Sequence, residues 1–187
     1  MNDCEGRDDM AIAQQDDSDT PAFLKSKSGA IAEHLGRSTI QLRSRHSSSG
    51  SGVIWCSDGS MITNAHVVQG SKVTLKLCAK RVLDAVVTAR NSLRDLAALK
   101  VEGANLAAIL MENSQIRVGQ LGLAVGNPQG LSGIRRAGII YTNGSITSLS
   151  RQQGIQADLR LVPGNSGGPL ADAQGRGVES NSMIANN

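Results

Sequence analysis

Apolar residues fall in short runs separated by turn formers. Val53–Trp55, Val73–Leu77, Val82–Val87, Leu96–Val101, Leu121–Val125 and Ile155–Leu161 each have the length of a strand. Within them Val73-Thr74-Leu75-Lys76-Leu77 alternates apolar and polar, the pattern of a strand with one face in a core and one in water. Ser57-Asp58-Gly59, Gln69-Gly70, Asn127-Pro128 and Asn143-Gly144 punctuate the runs as turns. Many short strands with glycine-rich connections predict an all-β sandwich or barrel. One short helix is predicted, from Pro21 to about Gly36, with Phe23, Leu24, Ile31 and Leu35 as its apolar residues. There is no internal repeat, and no apolar run has the length of a membrane span.

Composition restricts the core. The chain has 187 residues, enough for one domain or a compact two-lobed one, and is 40% hydrophobic. Aromatic residues are only 2%, namely Phe23, Trp55 and Tyr141, so the core must be built from Val, Ile, Leu and Ala. The net charge of +3 hides an asymmetry. Asp3, Glu5, Asp8, Asp9, Asp16, Asp17 and Asp19 crowd the start against a single base, Arg7. Residues 1–20 are therefore expected to form a solvated, disordered acidic tail ahead of a basic body. That body lacks the aromatic platforms on which bases stack, so nucleic acid is not an expected partner. Cys4, Cys56 and Cys78 are an odd number. Free, buried thiols are expected at Cys56 and Cys78, with a pair between them left open. No Cys/His grouping has metal-ligand spacing, and neither a metal nor a cofactor is expected. The start Met1-Asn2-Asp3-Cys4 has neither the basic nor the apolar region of a secretory signal; the chain is expected to be cytoplasmic or to lack its true beginning.

The chemistry is concentrated in three places. Gly164-Asn165-Ser166-Gly167-Gly168-Pro169 puts a serine in a glycine-crowded tight turn, where backbone can approach closely and amide hydrogens can converge beside the hydroxyl. His66 follows the apolar stretch Ser60-Met61-Ile62-Thr63-Asn64-Ala65. Asp95 immediately precedes the apolar run Leu96–Val101. Taken singly, the histidine reads as a core residue, the aspartate as a turn former and the serine run as a loop. Together, in the order His, Asp, Ser, they supply a nucleophile, a base and a carboxylate that orients the base. His34, in the predicted helix, and His46, in the Ser-rich stretch before the strands, are given structural roles.

These residues resemble the trypsin-like serine proteases, and within them the HtrA/Deg branch. The matching pieces are Gly50-Ser51-Gly52-Val53-Ile54, Thr63-Asn64-Ala65-His66-Val67-Val68, Asp95-Leu96-Ala97-Ala98-Leu99, Ala124-Val125-Gly126-Asn127-Pro128, Gln156-Ala157-Asp158 and Pro163-Gly164-Asn165-Ser166-Gly167-Gly168-Pro169-Leu170. The resemblance implies two six-stranded β-barrels, the first over about 38–103 and the second over about 115–187, in a protease domain spanning 21–187. The second barrel is expected to be incomplete, since relatives continue beyond the position of Asn187, often into PDZ domains.

The resemblance also implies a serine endopeptidase that works through an acyl-enzyme, in protein quality control. Its catalytic residues would be His66, Asp95 and Ser166. Its oxyanion hole would be the amides of Gly164 and Ser166, with Asn165 assisting. Its pocket would be lined by Leu161, Asn181, Ser182, Met183 and Ile184 and would take a small or medium apolar side chain. Arg160 stands where trypsins keep an acid, so selection for Lys or Arg is not expected. Asn165 stands where zymogen-activated relatives have Asp, so activation by N-terminal cleavage is not expected either. Substrates would be unfolded proteins or peptides, and assembly a homo-oligomer, a trimer by resemblance. Glu179-Ser180 replaces the Gly-Ile of the family's substrate-facing strand. A catalytically inactive protease-fold module that binds peptides or partners is the alternative.

Overall fold

The structure, a computed structural model, describes residues 22–43, 49–78, 81–102, 105–111, 117–126, 134–146, 153–157, 159 and 164–180. The acidic stretch 1–20 and His46 lie outside them. The chain enters through helix α1 (Ala22–Arg37). Ser38 and Thr39 end the helix by donating both hydroxyls to the Leu35 carbonyl, at 3.1 and 2.7 Å. Leu35 is fully buried and Ile31 is half-buried, as their spacing predicts, whereas His34 faces solvent. The side chains of Phe23 and Leu24 are outside the described set.

Six strands then close a barrel: β1 (Thr39–Arg43), β2 (Ser49–Ile54), β3 (Ser60–Thr63), β4 (Lys72–Lys76), β5 (Val82–Asn91) and β6 (Leu96–Lys100). Their order around the barrel is β1-β2-β3-β6-β5-β4, and β1 pairs with β4 to complete the ring. All six pairings are antiparallel. β4 has the alternation read from the sequence: Val73 and Leu75 point inward, Lys72 and Thr74 outward. The interior holds Ile40, Leu42, Ile54, Met61, Leu75 and Leu99, joined by Val67 and Val68 from the turn after β3. Each large aliphatic side chain there contributes about 1.5–3 kcal/mol through burial. Among the described residues, no aromatic side chain takes part in that cluster.

The second half is a five-stranded sheet in the order β11-β10-β7-β8-β9. It comprises β7 (Leu121–Gly126), β8 (Ile134–Ile146), β9 (Gln153–Ala157), β10 (Pro169–Asp172) and β11 (Gly177–Ser180). A second apolar cluster joins the halves: Leu35 of α1, Val53 of β2, Ile109 of the connecting segment, and Leu123, Val125 and Ala171 of the sheet. Backbone bonds stitch the connection as well. Ile109 donates to Ile54 at 2.9 Å, and Gly177 to Leu110 at 2.8 Å.

The architecture is all-β with one short helix, a closed six-stranded barrel and an incomplete second one, as the sequence leads one to expect. Two expectations need correction. Asn143-Gly144 is not a turn; it lies inside β8, which absorbs it as a register shift against β9 between Thr142 and Ser145. Cys56 and Cys78 are free but exposed rather than buried. Cys56 opens the turn between β2 and β3, and Cys78 follows the end of β4, so neither reaches a core.

Candidate active site

His66 is placed by its neighbours. β3 ends at Thr63, Asn64 stays extended, and Ala65–Val67 make a single 3-10 turn. Ala65, Val67 and Val68 go into the interior, which turns His66 outward, its side chain half exposed. The carboxylate comes from the turn between β5 and β6. Asp95 has φ +50, a left-handed conformation that Asp tolerates better than most residues. Hydrogen bonds from both sides of the turn hold it there, its own amide donating to the Ser92 carbonyl at 3.4 Å. Its carbonyl accepts from the Ala65 amide at 3.1 Å and from Asn64 Nδ2 at 3.0 Å. Its Oδ1 accepts from the His66 amide at 3.0 Å, and its Oδ2 lies 2.7 Å from His66 Nδ1. A carboxylate oxygen at that distance requires the proton on Nδ1. The neutral ring therefore presents Nε2 as a lone pair.

The serine sits in the loop that leads into β10. Gly164 and Gly167 both have positive φ, +98 and +86. At Gly167 space matters as much as conformation, because a Cβ there would collide with the Ser51 carbonyl and with Thr63 Oγ1. Three consecutive carbonyls of the loop are bonded. Gly164 O accepts from Ser51 Oγ at 2.6 Å, Asn165 O from the Gly168 amide at 3.0 Å, and Ser166 O from the Ser51 amide at 2.8 Å. Thr63 Oγ1 in turn donates to the Ser51 carbonyl at 2.7 Å. One strand of the first barrel thus grips the serine loop and rests on the strand end that leads to His66. Ser166 is almost fully buried.

Three buried side-chain atoms lack a partner among the described residues. Asn165 has 1% exposure, and among the described residues neither its Oδ1 nor its Nδ2 has a partner. Its side chain lies against Gly126, where any Cβ would strike it. Asn64 Oδ1 is likewise buried without a partner.

The structure thus joins His66 directly to Asp95 and seats the Ser166 loop against the strand that precedes the histidine. Gly164 and Asn165 lie in that same loop. Leu161, Asn181, Ser182, Met183 and Ile184, the residues assigned to the pocket, lie outside the described residues, as does Arg160. Ser51, Thr63 and Asn64 lie within the matching motifs, but the sequence alone gives them no task. The available signal was small polar residues inside otherwise apolar strands, which must find hydrogen bonds when buried.

The trypsin-like peptidase domain model matches residues 50–178, a span that contains His66, Asp95 and Ser166. The chain belongs to the trypsin-like peptidase family. Curated relatives are of the HtrA/DegP type. HhoB of Synechocystis sp., whose name includes the words serine protease, is 39% identical over 149 residues, covering 75% of this chain and 35% of HhoB. A DegP-like protein of Hahella chejuensis, named as a periplasmic serine endoprotease, is 39% identical over 140 residues, covering 73% of this chain and 30% of that one. The chain thus spans about a third of the length of these relatives. Among solved structures, Deg5 superposes with a TM-score of 0.74 at 26% identity, covering 85% of each chain. The serine endoprotease from Yersinia pestis does so with a TM-score of 0.75 at 28% identity, covering 88% of this chain and 58% of that one.

Proposed function

We propose that this chain is a serine endopeptidase that cleaves peptide bonds through an acyl-enzyme, with His66, Asp95 and Ser166 as its triad. The observation that carries the reading is the double grip of Asp95 on His66, one oxygen on the backbone amide and the other on Nδ1. A histidine held in this way has its tautomer and its ring direction set before any substrate arrives.

Ser166 Oγ attacks the carbonyl carbon of the scissile bond while His66 Nε2 takes its proton. Asp95 steadies the imidazolium that results. The oxyanion is received by the amides of Gly164 and Ser166, with Asn165 assisting. Collapse of the tetrahedral species breaks the C–N bond, and His66 returns the proton to the leaving amine. Water, deprotonated by the same nitrogen, then releases the acid product and restores the Ser166 hydroxyl. The pocket is assigned to Leu161 and Asn181 to Ile184 and takes an apolar side chain. Unfolded proteins or peptides are the substrates, the role is in protein quality control, and the chain works as a homo-oligomer.

A fluorophosphonate probe tests the reading. It should acylate Ser166 in the wild-type chain and leave His66→Ala almost unlabelled. Equal labelling of the two would show a merely accessible hydroxyl, and no labelling of either would favour an inactive peptide-binding module.

A further inference from the structure

Resting on the peptidase reading, we propose that Ser51 is a positioning residue for the oxyanion hole and that its hydroxyl sets the direction in which the nucleophile loop offers the Asn165 amide and braces the adjoining peptide that carries the Ser166 amide. Ser51 is fully buried in β2, in the barrel opposite to the half that carries the nucleophile. It holds two of the loop's carbonyls at once, Gly164 O through Oγ at 2.6 Å and Ser166 O through its amide at 2.8 Å. Its own carbonyl is held from behind by Thr63 Oγ1 at 2.7 Å.

A trans peptide is planar, and its N–H points opposite to its C=O. Fixing the carbonyl of Gly164 therefore fixes the N–H of Asn165, the assisting donor, and fixing that of Ser166 fixes the N–H of Gly167, which is not a donor of the hole but bounds it. The peptide between them carries the N–H of Ser166, and the Gly168 amide holds its carbonyl at 3.0 Å. Three successive peptide planes are thus locked, two of them by one residue. The backbone bond from Ser51 survives any substitution except proline. The Oγ bond does not, and without it the plane after Gly164, whose φ of +98 already lies where few residues go, is free to rotate. A glycine-rich turn has little of its own to stop that rotation. An oxyanion hole acts only when its donors are aimed before the reaction begins.

The test compares wild type, Ser51→Ala, Ser51→Gly and Ser51→Thr in the full chain. Measurements are kcat and KM on a peptide substrate, affinity for a peptidyl boronate that mimics the tetrahedral species, and amide hydrogen exchange over 164–168. Ser51→Ala should lower kcat by about 10²-fold, with KM within about twofold of wild type. It should weaken the boronate by the same factor as kcat and speed exchange in the loop. Ser51→Gly should behave alike should alanine prevent folding, and Ser51→Thr, which keeps a hydroxyl, should recover most of the rate. Ala and Gly variants with wild-type kcat and boronate affinity overturn the proposal. So do variants whose activity falls only in step with the folded fraction, with unchanged exchange in the loop. A wild-type chain that neither hydrolyses peptide nor binds the boronate would instead remove the peptidase reading itself.

Discussion

Asp95 holds His66 by two atoms, with Oδ1 accepting its backbone amide at 3.0 Å and Oδ2 lying 2.7 Å from Nδ1. The first bond fixes where the residue starts and the second fixes where the ring points. Asp95 does this from a left-handed conformation, and its carbonyl is anchored there by Asn64 and Ala65. The strain of such a φ, of order 1–3 kcal/mol, is offset by those bonds.

Asp95→Asn should separate chemistry from folding. Asn tolerates positive φ as well as Asp does, so the turn should survive. Its amide nitrogen, however, would donate to Nδ1 and move the ring proton to Nε2, which removes the base. We expect kcat to fall by about 10⁴-fold, with an unfolding temperature within a few degrees of wild type. Steady-state kinetics beside a melting curve checks this, and a variant with near wild-type turnover would contradict the orienting role.

Asn165→Leu should stabilise the fold. The side chain is buried, both its polar atoms are unpartnered among the described residues, and leucine has nearly the same shape. Removing two orphaned groups should recover about 1–3 kcal/mol in denaturant unfolding. A loss of stability would show that the amide has a partner in solution.

Acid should probe the turn before β3. The Asp58 carboxyl is drawn down from 3.8 to about 2, first by Lys100 and then by the Ser60 amide. Lys100 Nζ lies 2.8 Å from Asp58 Oδ2. A lowered carboxyl stabilises the fold at pH above its unfolded value and ceases to do so as pH falls through its folded one. The difference in unfolding temperature between wild type and Asp58→Asn should therefore be constant near neutrality, shrink below about pH 4 and vanish near about pH 2. Since the pair is exposed, the difference should be small and should fall with added salt. A difference that grew on acidification would refute the assignment.

Much of the architecture was written in the chain. Val73 and Leu75 alternate with Lys72 and Thr74, and only a strand with one wet face can satisfy that pattern. The helix was legible because Ile31 and Leu35 lie one turn apart. Asn143-Gly144 misled because the dipeptide favours a tight hairpin only when the flanking strands pair across it; here β8 runs through and pairs with β7 and β9 instead. The thiols misled because cysteine is usually buried, whereas the turns that carry Cys56 and Cys78 are not. The three chemical residues stood out by type and order. Their supports did not. Ser51, Thr63 and Asn64 act through contacts between distant strands, and no local pattern encodes a hydrogen bond between residues 51 and 164.

The most direct measurement is hydrolysis of casein by the purified chain beside its Ser166→Ala variant, at equal concentration and with both shown to be folded. We expect time-dependent cleavage by the wild-type chain and a loss of at least about 10³-fold in the variant, the little that remains coming from the oxyanion site. Equal hydrolysis by the two proteins would contradict the account, because the nucleophile would then lie elsewhere.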